Sequence, residues 1–216
     1  MCKLKSAIIL KDRVFISDHD SHSKMLEELG ITDDYFNASK VFVRAELSPE
    51  NGDVFSNIDS WEFSVDQDIT PKWFDEKDCA ERMRNTVKEW AKTHIFIGQN
   101  GLTISHGENI FIKDCKNVDI YDNATVNYIY GNATVNYICD NATVERIYDN
   151  ATVNYIYGNA TVKSICGKAT VISSSYSKWN NSESLIISDN ATFKDCYSKT
   201  IYQAGGWEFV KVTRGK

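Results

Sequence analysis

Basic charge is scarce in this chain. Its 216 residues carry 24 Lys and Arg against 30 Asp and Glu, a net charge of −6. No broad duplex-DNA-binding surface is expected, because phosphate contacts need clustered cations. Long apolar runs are missing as well. The longest clean one, Ala7-Ile8-Ile9-Leu10, gives way at once to Lys11-Asp12-Arg13, too short for a membrane span or a signal-peptide core. The expectation is a cytoplasmic chain without a membrane segment, its six cysteines kept reduced. Proline is nearly absent, with Pro49 and Pro71 both in the first half, and histidine numbers four. Apolar material is plentiful at 42%, enough for a core and too much for a wholly disordered chain.

An internal repeat dominates the second half. From Asp122 the chain reads DNATVNYIY, GNATVNYIC, DNATVERIY, DNATVNYIY, GNATVKSIC, GKATV, with a period of nine residues. The Asn, Ala, Thr, Val and Ile positions hold almost throughout, whereas Asn127-Tyr128 becomes Glu145-Arg146 and then Lys163-Ser164. A site that accepts Tyr, Arg and Ser faces solvent on this reading. The fixed small or branched sites (Ala124, Val126, Ile129 and their copies) face a core. Ala-Thr-Val alternates as a strand does, Val to Ile is three steps and demands a bend, and Asp or Gly with Asn supplies a turn that tolerates positive φ.

Nine residues cannot enclose a core in one lap, but two repeats can. This predicts a parallel β-solenoid whose coils stack at about 4.8 Å. A three-sided hexapeptide coil would place Asn132 and Asn150 at core sites, so two-sided coils of two half-coils fit better. Downstream, Asp189-Asn190-Ala191-Thr192-Phe193 restarts the motif with Cys196 at the Ile site, after a frame slip of four residues placed near 172–180. The solenoid is expected over about 100–203, roughly five coils and about 25 Å.

The first hundred residues read as α+β. A hairpin joins Ser6–Leu10 to Val14–Ile16, and a short helix over 22–29 is capped by Ser21 or Ser23 and ended by Gly30. Strands fall at Val41–Leu47 and Trp61–Val65. A helix over Asp75–His94 carries the stripe Cys79, Ala80, Met83, Val87, Trp90 and Ala91. The fold class is thus an α+β N-terminal domain followed by a parallel β-solenoid, with domains at 1–98 and 99–204 and a C-terminal cap at 205–216.

Three segments together resemble a set of uncharacterised phage and gut-bacterial proteins, over most of the chain: Lys5-Ser-Ala-Ile-Ile-Leu-Lys-Asp-Arg-Val-Phe15, Trp61–Asp68 with Pro71-Lys-Trp-Phe74, and the NATV repeats. The resemblance implies a phage-related, intracellular role and brings no known activity with it. More loosely, the solenoid is similar in kind to pentapeptide-repeat proteins, some of which mimic DNA. The five-residue repeat is absent here, so that likeness is one of fold.

Candidate sites follow. Asp18-His19-Asp20-Ser21-His22 has the composition of a metal cluster, but Asp and Ser before a helix are expected as caps, so no metal or other cofactor is expected. Cys139 and Cys166 share a site otherwise held by Tyr and sit an odd number of half-coils apart, on opposite faces. With Cys115 and Cys196 they read as small buried hydrophobes. No cysteine has a nucleophile's signature, so no catalytic residue is expected. The Asn-Ala-Thr triplets match a glycosylation sequon but read as turn-plus-strand chemistry, with stacked Asn and Thr able to form ladders. Tyr128, Tyr137 and Tyr155 sit at the variable site and suit a protein interface. Residues 45–81 hold eleven acids against Lys72 and Lys77, a net charge of −9. Within that stretch Asp59, Glu62, Asp66 and Asp68 are the expected contacts for a basic protein partner.

The leading functional reading is a non-enzymatic binding protein, including a phage-encoded inhibitor of a host defence or nucleic-acid-handling factor. An acyltransferase-like solenoid enzyme using His94 or His106 is the second, and a structural module that forms a homo-oligomer is the third.

Overall fold

The first sheet follows from short alternating strands and a tight turn. The strands β1 (Lys5–Leu10) and β2 (Val14–Phe15) form the expected hairpin, with Ile9 opposite Val14. The computed structural model describes residues 5–173, 185–196 and 198–212, in two compact units, Met1–Thr93 and His94–Lys216. After the hairpin come α1 (His22–Glu28), α2 (Tyr35–Ala38), β3 (Phe42–Ser48), β4 (Glu62–Val65) and α3 (Glu76–His94). The sheet is antiparallel in the order β2-β1-β3-β4.

Ser21 caps α1 by accepting from the Lys24 amide at 3.4 Å, and Gly30 ends it with φ +66°. Met25 and Leu26 of α1 pack on Ile8, Leu10 and Phe42. One element has no sequence-level periodicity: α2 is a single turn, capped by Asp34, which accepts from the Asn37 amide at 2.8 Å. The expected stripe of α3 is buried except for Ala91, which is half-buried. Arg82 donates to Leu10 O at 2.8 Å and Arg84 to Trp61 O at 3.0 Å, tying α3 to the sheet.

Among the described residues, fourteen strands make the second unit. They are β5 (Ile95–Ile97), β6 (Thr103–Ile104), β7 (Ile110–Lys113), β8 (Val118–Ile120), β9 (Thr125–Tyr130), β10 (Thr134–Ile138), β11 (Thr143–Ile147), β12 (Thr152–Ile156), β13 (Thr161–Ile165), β14 (Thr170–Ser173), β15 (Leu185–Asp189), β16 (Thr192–Asp195), β17 (Thr200–Gln203) and β18 (Gly206–Val212). Successive strands alternate between two sheets. The odd-numbered ones from β5 to β15 form one sheet with β18, and the even-numbered ones from β6 to β16 form the other with β17. This is a two-sided parallel β-solenoid of about five turns with about 18 residues per coil.

The nine-residue spacing dictates that alternation. Val126, Val144 and Val162 stack in register on one sheet, Val135 and Val153 on the other, each fully buried. Ala, Val and Ile of every copy join a single core. Between Val and Ile the two intervening side chains both turn outward, which accommodates the three-step spacing. Outside, Asn rungs follow the coil: Asn141 donates to Asn123, Asn159 to Asn141 and Asn150 to Asn132, at 3.2–3.3 Å.

Turns require the left-handed backbone. Asp122, Asp140 and Asp149 take φ of 55–58°, and Gly131, Gly158 and Gly167 take 69–71° at the same site. Gly167 is required for a second reason, since a Cβ there would lie 2.7 Å from the Asp149 amide nitrogen. Asp189 accepts from the Gly167 amide at 3.1 Å, joining turn to turn.

The frame slip shows in the register. Ile165 pairs with Ile187 and Thr170 with Thr192, 22 residues apart where the central coils have 18. The loop expected near 172–180 lies mostly outside the described residues. Cys196 is a correction. It does not take the Ile site, for β16 alternates without the extra outward residue and turns Asp195 inward instead. Ser173 donates to Asp195 at 3.1 Å and Ser198 at 2.8 Å. The antiparallel strands β17 and β18 end the parallel stacking on both sheets.

Candidate functional site

The half-coil geometry decides where the three expected tyrosines go. Tyr137 and Tyr155 are 18 residues apart and face each other in register on one sheet. Their rings stack at 5.9 Å with 20° between planes, yet remain 43% and 49% exposed. Tyr157 joins them edge-on, 5.9 Å from Tyr137. Tyr128, nine residues from Tyr137, lies on the opposite sheet. It is half-buried, with Phe111 at 5.5 Å and Tyr148 at 5.7 Å, which corrects the expectation of a solvent-facing ring. The three tyrosines therefore do not form one surface. Tyr157 extends the exposed pair and was not among the expected residues, although its spacing of 18 from Cys139 points to that sheet.

Cysteine chemistry stays quiet. Cys79, Cys115, Cys139, Cys166 and Cys196 are free thiols, and Cys2 lies outside the described residues. Burial pushes the Cys166 thiol up to about 11, assisted by Asp189. Burial likewise raises Cys79, Cys115 and Cys139. Such thiols remain protonated and poor nucleophiles near neutrality. A hydrogen bond with the Cys139 thiol, and then burial, push the Tyr157 phenol up to about 12.

The four expected acids are dispersed in the head. Asp59 lies in a 3-10 turn, Ile58–Ser60, and pairs with Lys88 of α3 at 2.5 Å. Glu62 opens β4, an edge strand, and is exposed. Asp68 is exposed two residues beyond Asp66, and it lines a shallow cleft of about 570 Å³ with Asp33, Asp34, Tyr35, Arg44 and Asp66.

Asp66 has a different environment. Its amide donates to Arg44 O at 2.9 Å, which fixes the chain as it leaves β4. The following side chain, Gln67, anchors the turn by accepting from the Arg44 amide at 2.8 Å and donating to Ile69 O at 2.5 Å. Asp66 Oδ2 thereby stands 3.2 Å from His22 Nδ1. Glu46 on β3 brings a third group, and the ligand-capable atoms of His22, Glu46 and Asp66 all lie within 4.8 Å of one another. A second cleft, of about 650 Å³, opens beside them and is lined by His19, Asp20, Ser21, Asp33 and Arg44 among others.

The sequence cluster Asp18–His22 is thus taken apart by the fold. His19 bonds Glu28 at 2.8 Å, and Asp20 accepts from the buried Lys5 ammonium at 3.0 Å. His22 instead meets two carboxylates from elsewhere in the sheet region, Glu46 on β3 and Asp66 just after β4. The available signal was parity: Phe42, Arg44 and Glu46 share one face of β3, and Phe42 marks that face as buried. At the solenoid, His106 bonds its neighbour Ser105 at 2.9 Å. Among the described residues no helix is long and apolar enough to cross a membrane. Compared with protein-family models, with curated proteins and with solved structures, the chain finds no match.

Proposed function

We propose that this protein is a non-enzymatic binding module. Its solenoid presents Tyr137, Tyr155 and Tyr157 to a protein partner, and its head presents Asp59, Glu62 and Asp68 to basic residues. The observation that carries this reading is the Tyr137–Tyr155 stack, which is exposed and already ordered. A free exposed side chain loses rotamer freedom when a partner covers it. Here each ring is held by its neighbour and by a rigid sheet, so that cost is largely met before binding. The resemblance to phage proteins makes an inhibitor acting in the host cytoplasm the preferred form of this reading. A Lys- and Arg-rich groove that handles nucleic acid is a fitting target for a carboxylate surface.

The test is paired substitution, Tyr137→Ser with Tyr155→Ser, in a tagged full chain used to capture partners from a bacterial lysate. The expected result is at least a tenfold loss of the specifically captured protein, with melting changed by only a few degrees. Equal capture of every specific protein by variant and wild type would contradict the reading.

A further inference from the structure

We infer that His22, Glu46 and Asp66 bind a divalent metal cation of borderline hardness, such as Zn²⁺ or Fe²⁺, with an open coordination position toward the adjoining cleft. The reasoning begins at the imidazole. His22 is 7% exposed, and its Nε2 lies 3.1 Å from Ala45 O. A carbonyl oxygen only accepts, so Nε2 carries the hydrogen and Nδ1 is the atom turned to the carboxylates. A histidine whose far nitrogen is fixed on a backbone carbonyl is oriented as metal-binding histidines are.

Charge and satisfaction then separate two occupants. A proton on Nδ1 pairs with Asp66. It leaves the Glu46 carboxylate, 8% exposed, without a hydrogen-bond donor among the described residues. Ser6, opposite Glu46 in the strand register, also buries a hydroxyl without a partner. The nearby cations are committed, Arg44 to Asp33 and Lys5 to Asp20. A divalent ion accepts a lone pair from all three groups and balances two carboxylate charges. Spacing agrees. Metal–ligand bonds of about 2.0–2.2 Å place tetrahedral neighbours about 3.4 Å apart, and Nδ1 to Oδ2 is 3.2 Å. The imidazole nitrogen beside two oxygens favours Zn²⁺ or Fe²⁺ over Ca²⁺ or Mg²⁺.

The experiment titrates the full chain with Co²⁺ under visible absorption and with Zn²⁺ under calorimetry and thermal melting. One equivalent should bind, with d–d bands and no sulfur-to-metal charge transfer, and Zn²⁺ should raise the melting temperature. Glu46→Gln and Asp66→Asn should each weaken binding tenfold or more and abolish the thermal gain. If the buried Glu46→Gln variant fails to fold, the exposed Asp66→Asn variant decides. No binding, a thiolate band, or affinity unchanged in Asp66→Asn would overturn the inference, and no binding would leave a proton shared by His22 and Asp66. Charge reversal at Asp59, Glu62 and Asp68 spares these three residues, so failure of the binding-module reading is distinguishable from failure here.

Discussion

Replacing Val144 with Asp should lower stability by at least about 3 kcal/mol, because an unpaired carboxylate would enter a dry core. For a chain of this size that is a fall of roughly 6–12 °C in melting temperature. Val144 is fully buried, with Val126 and Val162 stacked on either side of it in register. No polar group in that column can receive the charge. Val144→Ala, which only leaves a cavity, should cost about 2 kcal/mol. Arg146→Asp provides the contrast from the same strand. That side chain is exposed and bonds Tyr148 Oη at 2.8 Å, so its replacement should cost no more than about 1 kcal/mol. Thermal melting followed by circular dichroism separates the three. Equal melting of Val144→Asp and Arg146→Asp would contradict the assignment of Val144 inward and Arg146 outward.

Charge reversal of the head should have the largest effect on association. The triple variant Asp59→Lys, Glu62→Lys, Asp68→Lys is expected to weaken capture of a basic partner at least tenfold at low salt. Wild-type capture should itself weaken as salt rises. Stability should hardly respond. Asp59 and Lys88 form a surface pair, worth at most about 1 kcal/mol, while Glu62 and Asp68 stand in solvent. Net charge explains the direction. The stretch 45–81 carries nine excess negative charges, whose mutual repulsion opposes folding and is only partly offset by pairs such as Asp59–Lys88 and Asp78–Arg82. Capture that is indifferent to both substitution and salt would return these acids to the role of a solvated surface.

Repetition made the solenoid legible and isolation hid the rest. Six near-copies show which positions tolerate change, so the inward Ala, Val and Ile and the left-handed Asp or Gly could be read directly. Where copies degenerate, single-residue differences escape the pattern. Upstream coils are one or two residues shorter, which sets Phe111 opposite Tyr128, and that tyrosine is half-buried. At the far end, loss of one outward residue sends Asp195 inside in place of Cys196. The His22 cluster was less accessible still. Its members come from a helix start, a central strand and the turn after an edge strand. Only the antiparallel order β1-β3-β4 brings them together, and no local spacing encodes that order.

The central claim is that residues 18 apart share a sheet while residues nine apart lie on opposite ones, so that Tyr137 and Tyr155 form one surface. Paired cysteines test it most directly. Neighbouring coils stack at about 4.8 Å, within the Cα separation of about 4.4–6.8 Å that a disulfide accepts, whereas packed sheets are about 10 Å apart. Tyr137→Cys with Tyr155→Cys should therefore oxidise to an intramolecular disulfide, identified by peptide mass spectrometry. Tyr137→Cys with Arg146→Cys should stay reduced, although those positions are closer in sequence. A 137–146 bridge, or a 137–155 pair that never closes, would contradict the account.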